Sequence, residues 1–194
     1  MIVIYGLGNN DKKYLNTKHN IGRLLLEMFA TSEKVSFKTS SSQKSFNSAK
    51  KPQINLVYSN GYMNLSGKPL FDFWQYFKLS DSNQENILIV LQDDSDQFEG
   101  SNKLVLGGGS AGHRGLNSIY EYLSLMGLKK ENIWRLKIGI RPLENKLKSE
   151  TFVLNSITTE DTLNLNKLLE TIQNNKQNLL ESRFNLLQNQ INTK

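Results

Sequence analysis

The sequence predicts an α/β sandwich built on a largely parallel sheet, and three observations carry that prediction. Short β-branched runs alternate with segments of helical apolar spacing. One of those runs, Ile87-Leu88-Ile89-Val90-Leu91, is continuously apolar, the pattern of a strand buried on both faces. Glycine-rich turns follow the strands directly, as in Gly6-Leu7-Gly8-Asn9 and Gly107 to Gly112.

Taken in order, Ile2-Val3-Ile4-Tyr5 is the first strand, and Ile21, Leu24, Leu25 and Phe29 recur at the spacing of an amphipathic helix. The serine- and lysine-rich stretch from Ser32 to Pro52 reads as a mobile loop or an edge hairpin. Ile54 to Tyr58 is a second strand, and Phe71, Trp74 and Phe77 mark a helix starting near Pro69. Ile87 to Leu91, Lys103 to Leu106 and Trp134 to Ile140 supply three more strands, with a helix from Leu116 to about Leu125 before the last. Beyond Thr159 the spacing of Leu163, Leu165, Leu168 and Leu169, and then of Leu186, Leu187 and Ile191, is helical. No repeat or internal boundary interrupts the 194 residues, a length that fits one domain.

Composition narrows the function. With 38% hydrophobic and 22% charged residues the chain is globular, and no apolar run is long enough to span a bilayer, so no membrane role is expected. The absence of cysteine excludes a disulfide framework, a thiol nucleophile and a cysteine zinc site. The first strand begins at Ile2, and the expectation is that no signal peptide or arginine-rich presequence precedes the fold. Lys and Arg outnumber Asp and Glu by 24 to 18, a balance that favours a polyanionic partner such as nucleic acid.

Ligands in open α/β sheets gather beyond the carboxyl ends of the strands. Gly8-Asn9, Asp93-Asp94 and the Gly107 to Gly112 loop each follow a strand, and the expectation is that all three share one rim. Gly6-x-Gly8 begins a dinucleotide fingerprint, but Asp11 stands where the third glycine belongs and would repel a pyrophosphate. Gly108-Gly109-Ser110-Ala111-Gly112 matches the elbow of serine hydrolases, which needs an acid and then a histidine further along the chain. Only His113 follows Ser110, with no carboxylate between them, so the glycines read as a turn permitting close backbone approach.

His19 and His113 are the only histidines, too few ligands to advertise a metal site. Imidazole is nonetheless the side chain suited to proton transfer near neutral pH, and His19 precedes a helix not far from Asn9. Asn64, in a polar break before a helix, suits either a helix cap or a functional amide. Asp93, Asp94 and Asp96 follow the apolar run, where a carboxylate is either a solvated turn residue or the group that orients a histidine.

Together these segments resemble the bacterial-type peptidyl-tRNA hydrolase family. Its opening, G-L-G-N-P-G-x-x-Y-x-x-T-R-H-N-x-G, stands here as Gly6 to Gly22; its M-N-x-S-G is Met63 to Gly67. Its G-G-x-x-G-H-x-G-L loop is Gly108 to Leu116, and its R-L-R-I-G-I strand is Arg135 to Ile140. The motifs keep family order over about residues 2 to 155, leaving a C-terminal helical segment from about 159 to 194.

The resemblance implies a single-domain, three-layer sandwich with a twisted mixed sheet. It implies an enzyme that cuts the ester joining a peptide or N-blocked amino acid to the 3′ end of tRNA. By that resemblance His19 is the base, Asp93 its partner, and Asn9 and Asn64 bind the peptide and the reacting carbonyl. Tyr14, Tyr62, Met63, His113 and Arg114 are the further substrate-binding residues, and Lys103 and Lys137 hold the 5′ phosphate of the tRNA. Among the departures from the family, three carry weight: Arg114 replaces asparagine, Asn10 replaces proline and Gln92 replaces histidine. The implied partner is peptidyl-tRNA, with no metal or other cofactor, acting as a monomer in the cytoplasm or alternatively in the mitochondrial matrix. The competing expectation is a non-catalytic RNA-binding relative recruited to RNA processing.

Overall fold

The computed structural model describes residues 1–39, 44–81, 86–143 and 149–192. Among them seven strands form one sheet: β1 (Ile2–Gly6), β2 (Lys38–Thr39), β3 (Phe46–Lys50), β4 (Ile54–Ser59), β5 (Ile87–Phe98), β6 (Asn102–Leu106) and β7 (Trp134–Arg141). Their order is β2-β3-β4-β1-β5-β7-β6. The four central strands are parallel, while the β2–β3–β4 flank and the β6–β7 edge are antiparallel, so the sheet is mixed around a parallel centre.

Alternation along β1 builds the three layers. Ile2 and Ile4 point to one face, where they meet Leu25, Leu26 and Phe29 of α1 (Ile21–Ser32) and the C-terminal helices. Val3 and Tyr5 point to the other, beneath Leu70, Phe73 and Trp74 of α2 (Gly67–Tyr76) and Leu116 and Ile119 of α3 (Arg114–Tyr122). A period-two strand can serve two apolar layers only if both parities are apolar, which is why this run carries no polar residue. The C-terminal part is a short α4 (Ser149–Phe152), then α5 (Thr159–Asn174), α6 (Lys176–Leu180) and α7 (Phe184–Ile191). The helical stretch read beyond Thr159 is thus divided, at Asn175 and again at Glu181 to Arg183 where Ser182 takes a positive φ of 56°.

The Ser32 to Pro52 stretch resolves into the edge hairpin of β2 and β3, with residues 40–43 outside the described ones. α2 and α3 each begin two residues earlier than their apolar spacing predicts, at Gly67 and Arg114. Pro69 then sits in the first turn, where the missing N–H has no helical acceptor to lose.

Two corrections bear on the site. β5 does not end at Leu91 but runs on through Phe98, so Asp93, Asp94 and Asp96 lie within a strand rather than in a turn. Pairing with β7 satisfies the backbone there, with Asp93 opposite Ile138 and Asp94 opposite Gly139. Second, the three strand-following segments do not all leave from one rim. β6 is antiparallel to β7, and Leu106 pairs with Trp134, which itself lies beside Ile89. Gly107 therefore starts roughly 13 Å of strand away from Asp93, and the glycine loop must fold back to reach it.

Candidate active site

The crevice lies where β1, β4 and β5 deliver their carboxyl ends, with the chain leaving β1 into a helix on one face and leaving β4 into a helix on the other. The cleft encloses about 720 Å³. β1 contributes Asn9, β4 contributes the 3-10 turn Met63–Leu65, and β5 contributes Asp93 from its own interior. His19 arrives on a second 3-10 turn, Lys18–Asn20, that runs directly into α1. Gly22 lets that helix press against β5, since a Cβ there would sit 2.2 Å from the Leu91 carbonyl oxygen.

Asp93 is buried and accepts from two imidazoles. His19 Nδ1 stands 3.0 Å from each of its oxygens, and His113 Nε2 is 2.9 Å from Oδ1. His113 also caps α3, its Nδ1 accepting from the Leu116 N–H at 3.3 Å, so Nε2 is the nitrogen that carries the proton toward Asp93. The same carboxylate assigns the proton of His19 to Nδ1 and leaves the Nε2 lone pair for the cleft. Burial opposes ionisation of Asp93, but His113 and His19 outweigh it and hold the carboxyl far below its ordinary value. Burial likewise opposes protonation of His19, yet the charge and hydrogen bond of Asp93 prevail and raise its pKa above the usual 6.5; Arg114 pulls the other way.

Asn9 is fixed from three sides. Its Oδ1 accepts from the Met63 N–H at 2.9 Å, its N–H donates to Asn20 Oδ1 at 2.8 Å, and Asn20 Nδ2 donates back to its carbonyl at 2.9 Å. With Oδ1 committed, Nδ2 is the free donor of Asn9, unpaired among the described residues and available to the cleft. Asn64 lines the same cleft, is exposed and caps no helix; the cap reading is set aside.

Tyr14, Tyr62, buried Met63, His113 and Arg114 all line the cleft. Lys137 reaches its edge, paired with Asp94 Oδ2 at 2.6 Å. Lys103 stands outside it, directly opposite Lys137 in the β6–β7 ladder and therefore on the same sheet face. Gln92 also lines the cleft, buried, with a side-chain oxygen that has no partner among the described residues.

Ser110 is in the cleft but is no nucleophile elbow. Both nitrogens of His113 are engaged elsewhere, and the residue with positive φ is Ala111, at 50°, not the serine. The donor atoms of His19, Asp93 and His113 lie within 4.8 Å of one another, the arrangement among the described residues that could hold a metal ion. As they stand, both histidines are hydrogen-bonded to the one carboxylate.

Several supporting residues had no individual signal in the sequence. Asn20, which braces Asn9, was visible only as a letter of the opening motif. Arg135 latches the returning glycine loop through the Gly109 carbonyl at 2.7 Å, and Tyr120 latches the Gly108 carbonyl at 2.8 Å. Val153, whose carbonyl holds the His19 N–H at 2.8 Å, lies 134 residues from its partner and gives no local sign of it.

An orienting carboxylate, an imidazole with a free nitrogen, and a fixed amide donor in a polar cleft define the class of general-base hydrolases. Comparison with known proteins makes this specific. A family model described as Peptidyl-tRNA hydrolase matches residues 3–194. A peptidyl-tRNA hydrolase of Rickettsia canadensis is 31% identical, covering 98% of this chain and 100% of its own, and one of Rickettsia felis is 30% identical over the same shares. The crystal structure of peptidyl-tRNA hydrolase from Acinetobacter baumannii superposes with a TM-score of 0.82 over 100% of this chain and 95% of that one, at 24% identity, which shows the shared fold. The chain belongs to the peptidyl-tRNA hydrolase family.

Proposed function

We propose that this chain hydrolyses the ester between a peptide, or an N-blocked amino acid, and the 3′ end of tRNA, with His19 as the base. Family membership supports the reaction; the observation that supports the residues is the His19 imidazole at 3.0 Å from both Asp93 oxygens with Nε2 left toward the cleft. A water attacks the ester carbonyl as His19 Nε2 takes its proton, and Asp93 stabilises the imidazolium. The oxyanion accepts from Asn9 Nδ2 and the Asn64 amide, an effect worth about 3 kcal/mol per donor in comparable enzymes. On collapse the imidazolium returns its proton to the departing ribose oxygen, giving free peptide and tRNA. His113, the second donor to Asp93, keeps the carboxylate aimed between the two rings.

Tyr14, Tyr62 and Met63 form the wall for the peptide. Arg114 faces the cleft with no ion-pair partner among the described residues and suits a phosphodiester of the 3′ end. Lys103 and Lys137, paired across the edge ladder, are assigned to the 5′ phosphate, which they would recognise by charge and shape rather than base sequence. The chemistry needs no metal or cofactor. We take the chain to be a single-domain monomer in the cytoplasm, in keeping with its bacterial relatives. Among the described residues no helix is long and apolar enough to cross a membrane.

The test is peptide release from N-blocked aminoacyl-tRNA against unblocked aminoacyl-tRNA. Turnover of the blocked substrate alone is expected. The non-catalytic RNA-binding alternative, which the comparisons do not support, requires binding with no release.

A further inference from the structure

Behind the catalytic turn lies a group of buried charges that the reaction as described does not use. The Lys18 side chain is only 4% exposed, yet it ends in an ammonium held by Glu99 and, at 3.4 Å, by Asp161 Oδ2. The three residues come from three places: the turn that carries His19, the β5–β6 connection and the first turn of α5. Asp161 is itself immobilised. Its Oδ2 accepts from the Thr158 N–H at 2.8 Å and the Thr158 hydroxyl at 2.9 Å, completing a capping box at the start of α5.

The chain just before that box runs antiparallel beside the catalytic turn. Ile157 N–H donates to Asn16 at 3.0 Å, Lys18 N–H to Asn155 at 2.9 Å and His19 N–H to Val153 at 2.8 Å, with Thr17 bridged to Ser156. The backbone position of His19 is therefore set by residues 153–157, and those are anchored at their far end by Asp161 on Lys18. A buried ammonium is costly unless its charge is paired, which holds Lys18 where the two carboxylates meet it.

We propose that Asp161 is a positioning residue of the reaction: acting through Lys18, it fixes the turn that holds the His19 imidazole at hydrogen-bond distance from Asp93. The proposal rests on the reading of His19 as the base. Neither Lys18 nor Asp161 lines the cleft, so the expected effect falls on turnover more than on binding. Misplacing a catalytic group by about 1 Å can cost roughly a hundredfold in rate, and a partial loosening should cost about tenfold.

The experiment compares kcat, KM, their pH profiles and the melting temperature for Asp161→Ala, Lys18→Arg, Glu33→Gln and His19→Ala. Glu33 is the matched control, a carboxylate 7% exposed between Lys51 and Lys176 on a distant part of the surface. Asp161→Ala is expected to lower kcat about tenfold with KM within about twofold, and to move the acid limb down toward the ordinary histidine value as His19 loosens from Asp93. Lys18→Arg, which keeps the charge, retains kcat. Glu33→Gln loses thermal stability and moves neither kcat nor the limb. If Asp161→Ala does not fold, Asp161→Asn, which keeps an acceptor for Thr158, is read the same way. Loss of melting temperature alone, with kcat and limb as in Glu33→Gln, overturns the proposal. Full turnover by His19→Ala overturns the assignment of the base and the positioning role with it; an inactive His19→Ala beside a fully active Asp161→Ala overturns the positioning role alone.

Discussion

The two ends of the proposed substrate site are built on opposite principles. At the reacting end the buried groups are held by others: Asp93 by two imidazoles, Asn9 by Met63 and Asn20, and the His19 backbone by Val153, with Asn64 the exposed exception. At the β6–β7 pair, Lys103 is exposed and Lys137 is steadied by Asp94 alone among the described residues. Moving a proton between a water and an ester requires atoms placed to fractions of an ångström. Neutralising a phosphate requires only a charge within a Debye length. On the proposed reading the buried hydrogen bonds serve the first task, and the second falls to an exposed Lys103 and to a Lys137 that is tied only to Asp94 among the described residues.

On the proposed reading, substitutions at the reacting end are expected to abolish turnover and those at the β6–β7 pair to change affinity. The largest effect belongs to His19→Ala, which should lower kcat by about 10³-fold or more while the protein stays folded; substantial residual hydrolysis would remove the base from its role. Next comes Asn9→Ala, which removes the proposed oxyanion donor and should cost about 10²-fold in kcat with little change in KM. A purely binding role for Asn9 would instead appear in KM.

Lys103→Glu is smaller and of another kind. It should raise KM for peptidyl-tRNA several-fold, reduce the salt slope of binding by roughly one phosphate contact, and leave a minimal ester substrate untouched. Loss of kcat on the minimal ester would erase the distinction between the two ends.

Arg114→Asn gives a finer test by titration. Only neutral His19 can accept a proton, so activity should rise with pH through a value above the ordinary 6.5, while Asp93, held low, stays ionised throughout. Arg114 opposes the protonation of His19, and its removal should shift the acid limb to higher pH. A shift to lower pH would contradict that field. The smallest effect is expected of Ser110→Ala, which should retain wild-type turnover; a large loss would revive the serine nucleophile.

Much of this was readable beforehand, for identifiable reasons. Strands such as Ile2 to Tyr5 declare themselves because burial on both faces demands unbroken apolar sequence. His19, Asn9, Asn64 and Asp93 stand out as candidates because they lie in linked motifs at fixed spacing, and the fold brings all four to one cleft. The end of β5 was misjudged because Gln92, Asp93 and Asp94 look like turn residues, whereas β7 pairs with them and buries them. The glycine loop does reach the cleft, but that it must fold back to do so is not readable because spacing carries no strand direction.

By itself the sequence determined the alternation of elements, the parity of the central strands and the residue types capable of the chemistry. These follow from local periodicity and from what each side chain can donate, accept or titrate. Only the tertiary structure decided that one carboxylate serves two histidines, that Asn9 presents its nitrogen and not its oxygen, and that a linker from the far end of the chain holds the catalytic turn. Each of those depends on contacts between residues tens to more than a hundred positions apart, and no local pattern encodes which distant partner will complete a hydrogen bond.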